Sequence, residues 1–370
     1  MKKTGDQHLI KRINRSVLLR MLQAQPGLSR AKLAEQSGLT KSTVSALVRE
    51  LLAESWLSEA SAPVASEGKG RPSTPLEINT RTRVLMGIEI AVESLRAVCV
   101  TLGGEIVSQI QAQLEDMSPD KVCGQAALLA AGLCDDIKGR KLILSGIGVC
   151  LPGAIADNSG LVQFAPNLGW RGVEFLALIS RAFLAAGVPQ HVVHVQNDAD
   201  AAALGEYEFS HSENEGPLIF VNCNIGVGAG IVLNDRLFTG DVGTAGEIGH
   251  TVLQIDGPRC SCGRKGCAET FIGSRVIGSR ASIEKAGRYL GVLIQNLNVT
   301  FNPRVVVVGG RSCALHPQLI AKACSVLKAY SSDAGMPVPS VRTARYGLLA
   351  SAVGAAALVW HRFLRPIPVS

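Results

Sequence analysis

Gly246-Glu-Ile-Gly-His250-Thr-Val-Leu-Gln-Ile-Asp256-Gly-Pro-Arg-Cys260-Ser-Cys262-Gly-Arg-Lys-Gly266-Cys267-Ala-Glu269 places one histidine and three cysteines within eighteen residues. Zinc favours a tetrahedral Cys₃His shell, whose ligands must converge from a short, tightly turning loop. Gly263 and Gly266 supply that turning freedom between Cys262 and Cys267. A structural zinc held by His250, Cys260, Cys262 and Cys267 is therefore expected, rather than a disulfide, because Cys260 and Cys262 are too close to pair comfortably. Glu247 and Glu269 flank the ligands and are not needed by the metal, so the braced loop presents carboxylates to something else.

Outside this loop the chain divides by charge. Of its 370 residues, the first 60 hold ten Lys/Arg and five Asp/Glu, a net +5, while the last 290 carry only +2. A basic head on a near-neutral body suits a polyanion such as DNA. Apolar residues make up 47% and aromatics only 4%, so the core must rest on Leu, Val, Ile and Ala. The other seven cysteines sit mostly among apolar neighbours, as reduced core cysteines do. Met1-Lys-Lys runs into polar Thr4-Gly-Asp-Gln-His8 rather than an apolar leader, and the apolar run from Gly347 to Trp360 is short for a bilayer. A cytoplasmic protein with no membrane contact is expected.

In the head, apolar residues recur at helical spacing from His8 to Ala24. Ser29 is placed to cap a short helix, Gly38 to make a turn, and Thr40 to cap a longer helix from Lys41 to Glu54. Short helix, glycine turn and longer helix with a polar first turn is helix-turn-helix spacing. Ser29, Arg30, Lys41, Ser42, Thr43, Ser45 and Arg49 are the expected DNA contacts, since hydroxyls and arginine read base edges in a major groove. Two short strands should follow around a Pro/Ser/Gly-rich loop whose tip holds Lys69 and Arg71, a narrow basic wing suited to a minor groove. The same composition also suits an interdomain linker. The expected boundary puts a winged helix-turn-helix domain at 1–80 and a second domain at 81–370.

The second domain reads as two strand-rich halves with helices, with Asn197-Asp198-Ala-Asp200 opening a helix from Ala201 to Phe209 and with glycine turns at Gly103-Gly104 and Gly226-Val-Gly228-Ala-Gly230. This implies a two-lobed α/β protein with a cleft near residues 198–250. Two segments join the metal loop in being distinctive: Ala165-Pro-Asn167-Leu-Gly-Trp170 and Gln196-Asn197-Asp198-Ala-Asp200-Ala201.

On these three segments the chain resembles the ROK family, which groups sugar-responsive repressors with sugar kinases on an actin-like (ribonuclease H-like) fold. With the helix-turn-helix, the resemblance covers nearly the whole chain and points to the repressor branch. It implies that Asn167, Asn197, Asp198, Glu247, His250 and Glu269 bind sugar hydroxyls, that His250 also joins the three cysteines on zinc, and that Asp198 stands at the kinases' general-base position. Helix capping by Asn197 and Asp198, and a turn role for Asn167, are the plainer alternatives.

One departure separates this chain from the kinases. Their Asp-x-Gly-Gly-Thr turn, which cradles ATP phosphates, corresponds here to Glu89-Ile90-Ala91-Val92-Glu93. Both glycines are lost, and a carboxylate replaces the hydroxyl where phosphate would lie. The expectation is a sugar-responsive, DNA-binding repressor without enzymatic activity, acting as a homodimer or tetramer on operator DNA. The alternative is an ATP-dependent sugar kinase with an added DNA-binding head.

Overall fold

The structure is a computed structural model that describes residues 7–60, 74–156, 159–210 and 216–366. The head is a winged helix-turn-helix. Its first helix, Gln7–Ala24, buries Leu18, Leu19 and Leu22. The second, Arg30–Ser37, starts where the Ser29 hydroxyl accepts from the Lys32 amide and ends at Gly38, whose φ of 71° suits glycine. The third, Lys41–Ala53, starts where the Thr40 hydroxyl accepts from the Thr43 amide and buries Val44, Leu47, Val48 and Leu51. Strands Leu57–Glu59 and Leu76–Ile78 pair antiparallel as the base of a wing. Its expected tip, with Lys69 and Arg71, lies outside the described residues.

The body has two five-stranded sheets built on one plan. In the first, the order is Val193–Asn197, Ile143–Leu151, Arg83–Ile90, Ser94–Thr101 and Ile106–Gln113; the first three are parallel and the rest run as an antiparallel meander. In the second, Leu218–Cys223, Val305–Gly309 and Ser340–Thr343 are parallel, with Val227–Leu233 and Arg236–Leu237 added antiparallel. A small sheet of Ala154–Ala156, Leu161–Ala165 and Trp170–Val173 stands beside the first. The antiparallel strands follow one another by short turns, while the parallel ones need crossover helices.

Two buried helices join the lobes: Asp198–Glu208 and Ala350–Leu364. They lie in backbone contact, since a Cβ on Gly354 would stand 1.9 Å from the Ala201 carbonyl oxygen. The apolar span Gly347–Leu364 is long enough to cross a membrane, more than the sequence suggested, but 72% of it is buried inside the protein. It serves as a core helix.

Head and body share a core. Trp56 stacks on Phe363 with ring centroids 4.2 Å apart, and the Arg83 guanidinium lies 4.1 Å above the Trp56 ring. Leu18, Leu19 and Leu22 belong to the same apolar cluster as Trp360 and Leu364. Trp56 and Arg83 thus fasten the head to the body by stacking and burial.

Two sequence expectations shift. Asp198 lies inside the first turn of its helix rather than ahead of it. The glycine-rich run from Gly226 to Gly230 is mostly the strand Val227–Leu233 rather than a turn, and a Cβ on Gly230 would come within 2.3 Å of the Ala199 carbonyl oxygen. That glycine lets the strand approach the cleft helix.

Candidate functional site

The cleft between the lobes has a volume of about 870 Å³. Asn167, Asn197, Asp198, Glu247, His250 and Glu269 all line it, so residues spread over a hundred positions of sequence face one space. Asn197 ends an edge strand of the first sheet and caps the next helix. Its Oδ1 accepts from the Ala199 amide at 2.8 Å and the Asp200 amide at 3.2 Å, and its Nδ2 donates to the Gly153 carbonyl at 3.0 Å. Much of its side chain is thereby committed to shaping the cleft floor.

Asp198 is held by the second lobe. Asn222 donates to its Oδ2 at 3.0 Å, and the Ala199 amide donates to its Oδ1 at 3.0 Å. Enclosure by surrounding protein, with the negative charges of Glu89 and Glu247, pushes its carboxyl up to about 7. It therefore changes charge near neutral pH. Glu269 accepts from the Val227 amide at 3.3 Å, and both Glu269 and Asn167 border Gly226, where a Cβ would meet Glu269 Oε2 at 3.0 Å and Asn167 Nδ2 at 3.6 Å. Carboxylates, amides and an imidazole thus converge on a polar wall suited to a polyhydroxylated ligand.

His250 carries the wall into the metal loop. Ligand atoms of His250, Cys260, Cys262 and Cys267 all lie within 4.8 Å of one another. Cys260 Sγ is 3.6 Å from His250 Nδ1, and Cys262 Sγ is 3.7 Å from Cys267 Sγ. Zn–S bonds of about 2.3 Å and a Zn–N bond of about 2.0 Å at tetrahedral angles require S–S and S–N edges of roughly 3.8 and 3.5 Å. The donor set fits zinc in chemistry and in spacing. The other ring nitrogen, His250 Nε2, lies 4.0 Å from Glu247. Gly266, with φ 70°, packs against the Gln254 carbonyl, which a Cβ would approach to 1.7 Å.

At the turn after the first strand, the Ala91 amide donates to the Ser94 carbonyl at 2.9 Å, and Ala91, Val92 and Glu93 line the cleft. Behind them Arg96 pairs with buried Glu89 at 2.9 Å. Burial pushes the Glu89 carboxyl up, and Arg96 opposes that shift. The sequence reading missed both Arg96 and Asn222. Their signals were an arginine opposite a glutamate in adjacent strands and an asparagine within an apolar strand.

In the head, Lys41, Ser42 and Arg49 are exposed on the third helix, with Thr43 and Ser45 half-buried. Ser42 and Thr43 share the Thr40 hydroxyl at 2.9 and 2.8 Å. Ser29 is occupied as a helix cap, and Arg30 pairs with Glu59 of the wing at 3.1 Å. These two positions thus have structural partners already.

Residues 85–285 match the ROK family, and residues 12–57 match the winged helix-turn-helix DNA-binding family. The chain belongs to the ROK family. The xylose repressor of Bacillus subtilis (strain 168) is 30% identical over 95% of this chain and 94% of its own length. The DNA-binding transcriptional dual regulator NagC of Escherichia coli (strain K12) is 26% identical over 98% of this chain and 96% of its own. Among solved structures, a ROK family transcriptional regulator, described as a homolog of the E. coli MLC protein, covers 96% of this chain and 97% of its own at 24% identity and TM-score 0.77. A ROK family glucokinase from Streptomyces griseus, in complex with glucose and AMPPNP, covers 98% of its own length but 74% of this chain, at 23% identity and TM-score 0.61. This ROK protein pairs the actin-like body with a winged helix-turn-helix head, as the regulators do.

Proposed function

We propose that this ROK-family regulator is a transcriptional repressor released from operator DNA by a sugar. The observation that carries the reading is the convergence of Asn167, Asn197, Asp198, Glu247, His250 and Glu269 on one cleft in a chain that also bears a recognition helix. Carboxylates and amides accept and donate to sugar hydroxyls, and zinc on His250, Cys260, Cys262 and Cys267 fixes the imidazole that faces the sugar. The metal braces the wall; no chemical step is assigned to it.

The 1–80 segment binds DNA and 81–370 binds the sugar. Lys41, Ser42, Thr43, Ser45 and Arg49 supply the recognition face, while Ser29 and Arg30 hold its frame. A homodimer sets two such helices in successive major grooves of operator DNA. As a transcription factor it works in the cytoplasm. A sugar releases DNA only to the extent that it binds the released conformation better.

The chain is not a kinase on this reading. Ala91 and Val92 add side chains where backbone amides must approach phosphate, Glu93 adds a repelling charge, and Asp198 persists as a sugar ligand. The deciding experiment measures binding to an operator duplex, selected from a random pool, against a panel of monosaccharides. The expected result is one sugar that weakens DNA binding at least tenfold. No effect from any sugar rejects the reading, and ADP release with a hexose restores the kinase.

A further inference from the structure

The helix Asp198–Glu208 starts in the cleft and ends beneath the head. Its eleven residues span about 16 Å at 1.5 Å per residue. Its first residue is the cleft carboxylate Asp198, and its last, Glu208, is only 4% exposed. His361 and Arg365, both from the C-terminal helix and its end, hold Glu208 Oε1 at 2.6 Å each. The third partner comes from the head: Gln23 Nε2 donates to the Glu208 carbonyl at 2.9 Å and lies 3.4 Å from its Oε2. One turn earlier on the same head helix, Arg20 pairs with Asp235 at 3.0 Å, and Asp235 also meets Tyr207 and, at 3.8 Å, Arg365. Burial works to raise the Glu208 carboxyl, but His361, Arg365 and Gln23 outweigh it and hold it below its ordinary value, so the network is built around a charged group.

This junction differs in kind from the rest of the head–body contact. The stack of Trp56 on Phe363 and Trp360 fastens the head by apolar surface to the C-terminal helix, which reaches the cleft at Ala350 and Ser351. Gln23 instead fastens the head to the helix whose other end carries Asp198. That helix is buried along nearly its whole length and touches neighbouring backbone at Ala199 and Ala201, where Gly230 and Gly354 approach too closely for any Cβ. A packed helix of this sort has discrete positions and transmits a displacement instead of absorbing it.

We propose that Glu208, acting through Gln23, is the positioning residue by which an occupied cleft resets the DNA-binding head. The inference rests on the sugar-responsive reading above and names the contact through which that response travels.

The test uses the full chain, an operator duplex selected from a random pool, and D-xylose, D-glucose and N-acetylglucosamine as probes. The readout is the ratio of DNA dissociation constants with and without sugar. Gln23 is neutral and half-buried, so replacing it spares the buried charges. Gln23→Ala should leave sugar affinity within twofold of wild type and cut the ratio at least fivefold. Gln23→Lys, which still donates to Glu208, should keep the ratio within twofold. A merely structural role for Gln23 would shift DNA affinity equally with and without sugar. An unchanged ratio in Gln23→Ala, or an equal loss in both variants, overturns the inference while leaving the sugar-responsive reading intact. If no probe alters wild-type DNA binding, the parent reading fails and this one falls with it.

Discussion

Cys260 Sγ lies 3.6 Å from His250 Nδ1, on the side of the imidazole away from the Nε2 that faces Glu247 across 4.0 Å. One ring therefore belongs to the metal loop and to the cleft wall at once. Cys260→Ser should leave the purified chain with little zinc and weaken sugar binding by roughly tenfold or more, since losing even a partner behind a metal ligand typically costs about 10- to 100-fold in metal affinity or activity. DNA binding without sugar should persist, because Ile248, Ala268 and Phe271 around the metal loop pack in a different apolar cluster from the one that holds the head. Metal analysis with calorimetry checks this, and a Cys260→Ser protein with one zinc and a full sugar response would reject the role of the loop.

Asp198 supplies the pH dependence. With its carboxyl raised to about 7, the ionised acceptor dominates above that value and is lost below it. If the sugar donates a hydroxyl to the carboxylate, affinity should fall about tenfold between pH 8 and pH 6, following the protonation of one group. The sign for stability is opposite: a raised carboxyl destabilises the empty protein as pH climbs from the unfolded value towards 7. Asp198→Asn should therefore flatten the affinity profile and raise the melting temperature at pH 8 more than at pH 5. Calorimetry and melting across that range measure both, and a flat wild-type profile would remove Asp198 from the sugar contacts.

The head offers a contrast between reading and framing. Arg49 is exposed on the recognition helix, whereas the Ser29 hydroxyl accepts from the Lys32 amide. Arg49→Ala should cost about 1–3 kcal/mol of operator affinity if it reads a base, with the loss concentrated on particular sequences. Ser29→Ala should instead lower the stability of the head by about 0.5–2 kcal/mol, as loss of a helix cap does. Binding to a mutated operator panel, together with melting curves, separates the two effects.

Local chemistry made much of this legible in advance. Cysteine spacing marked the metal loop, and cap and turn residues at Ser29, Gly38 and Thr40 marked the head. The cleft as a set of residues came from family resemblance, because nothing in the local sequence places Asn167 beside Glu269. What stayed hidden depends on contacts across long separations. Gln23 and Glu208 are 185 positions apart, and no periodicity links them. The run Gly226–Gly230 misled for the same reason: glycine reads as a turn, but Gly230 lies in a strand, where Ala199, distant in sequence, leaves no room for a side chain.

That kind of close approach can be tested by one substitution at two sites. Gly354 and Gly124 are both helical, but a Cβ on Gly354 would stand 1.9 Å from the Ala201 carbonyl oxygen, whereas one on Gly124 would meet nothing within 4 Å. Gly124→Ala should stabilise the protein by about 0.5–1 kcal/mol, through the backbone entropy that alanine removes from the unfolded chain. Gly354→Ala should destabilise it by at least about 1–3 kcal/mol, the ordinary cost of overpacking, since the clash is with backbone that cannot swing aside. Urea midpoints give the two signs. The displaced partner is the helix that begins with Asp198, so Gly354→Ala should also weaken sugar binding while Gly124→Ala leaves it alone. A Gly354→Ala protein with wild-type stability and sugar affinity would mean that the two central helices separate freely, and that the cleft does not depend on their contact.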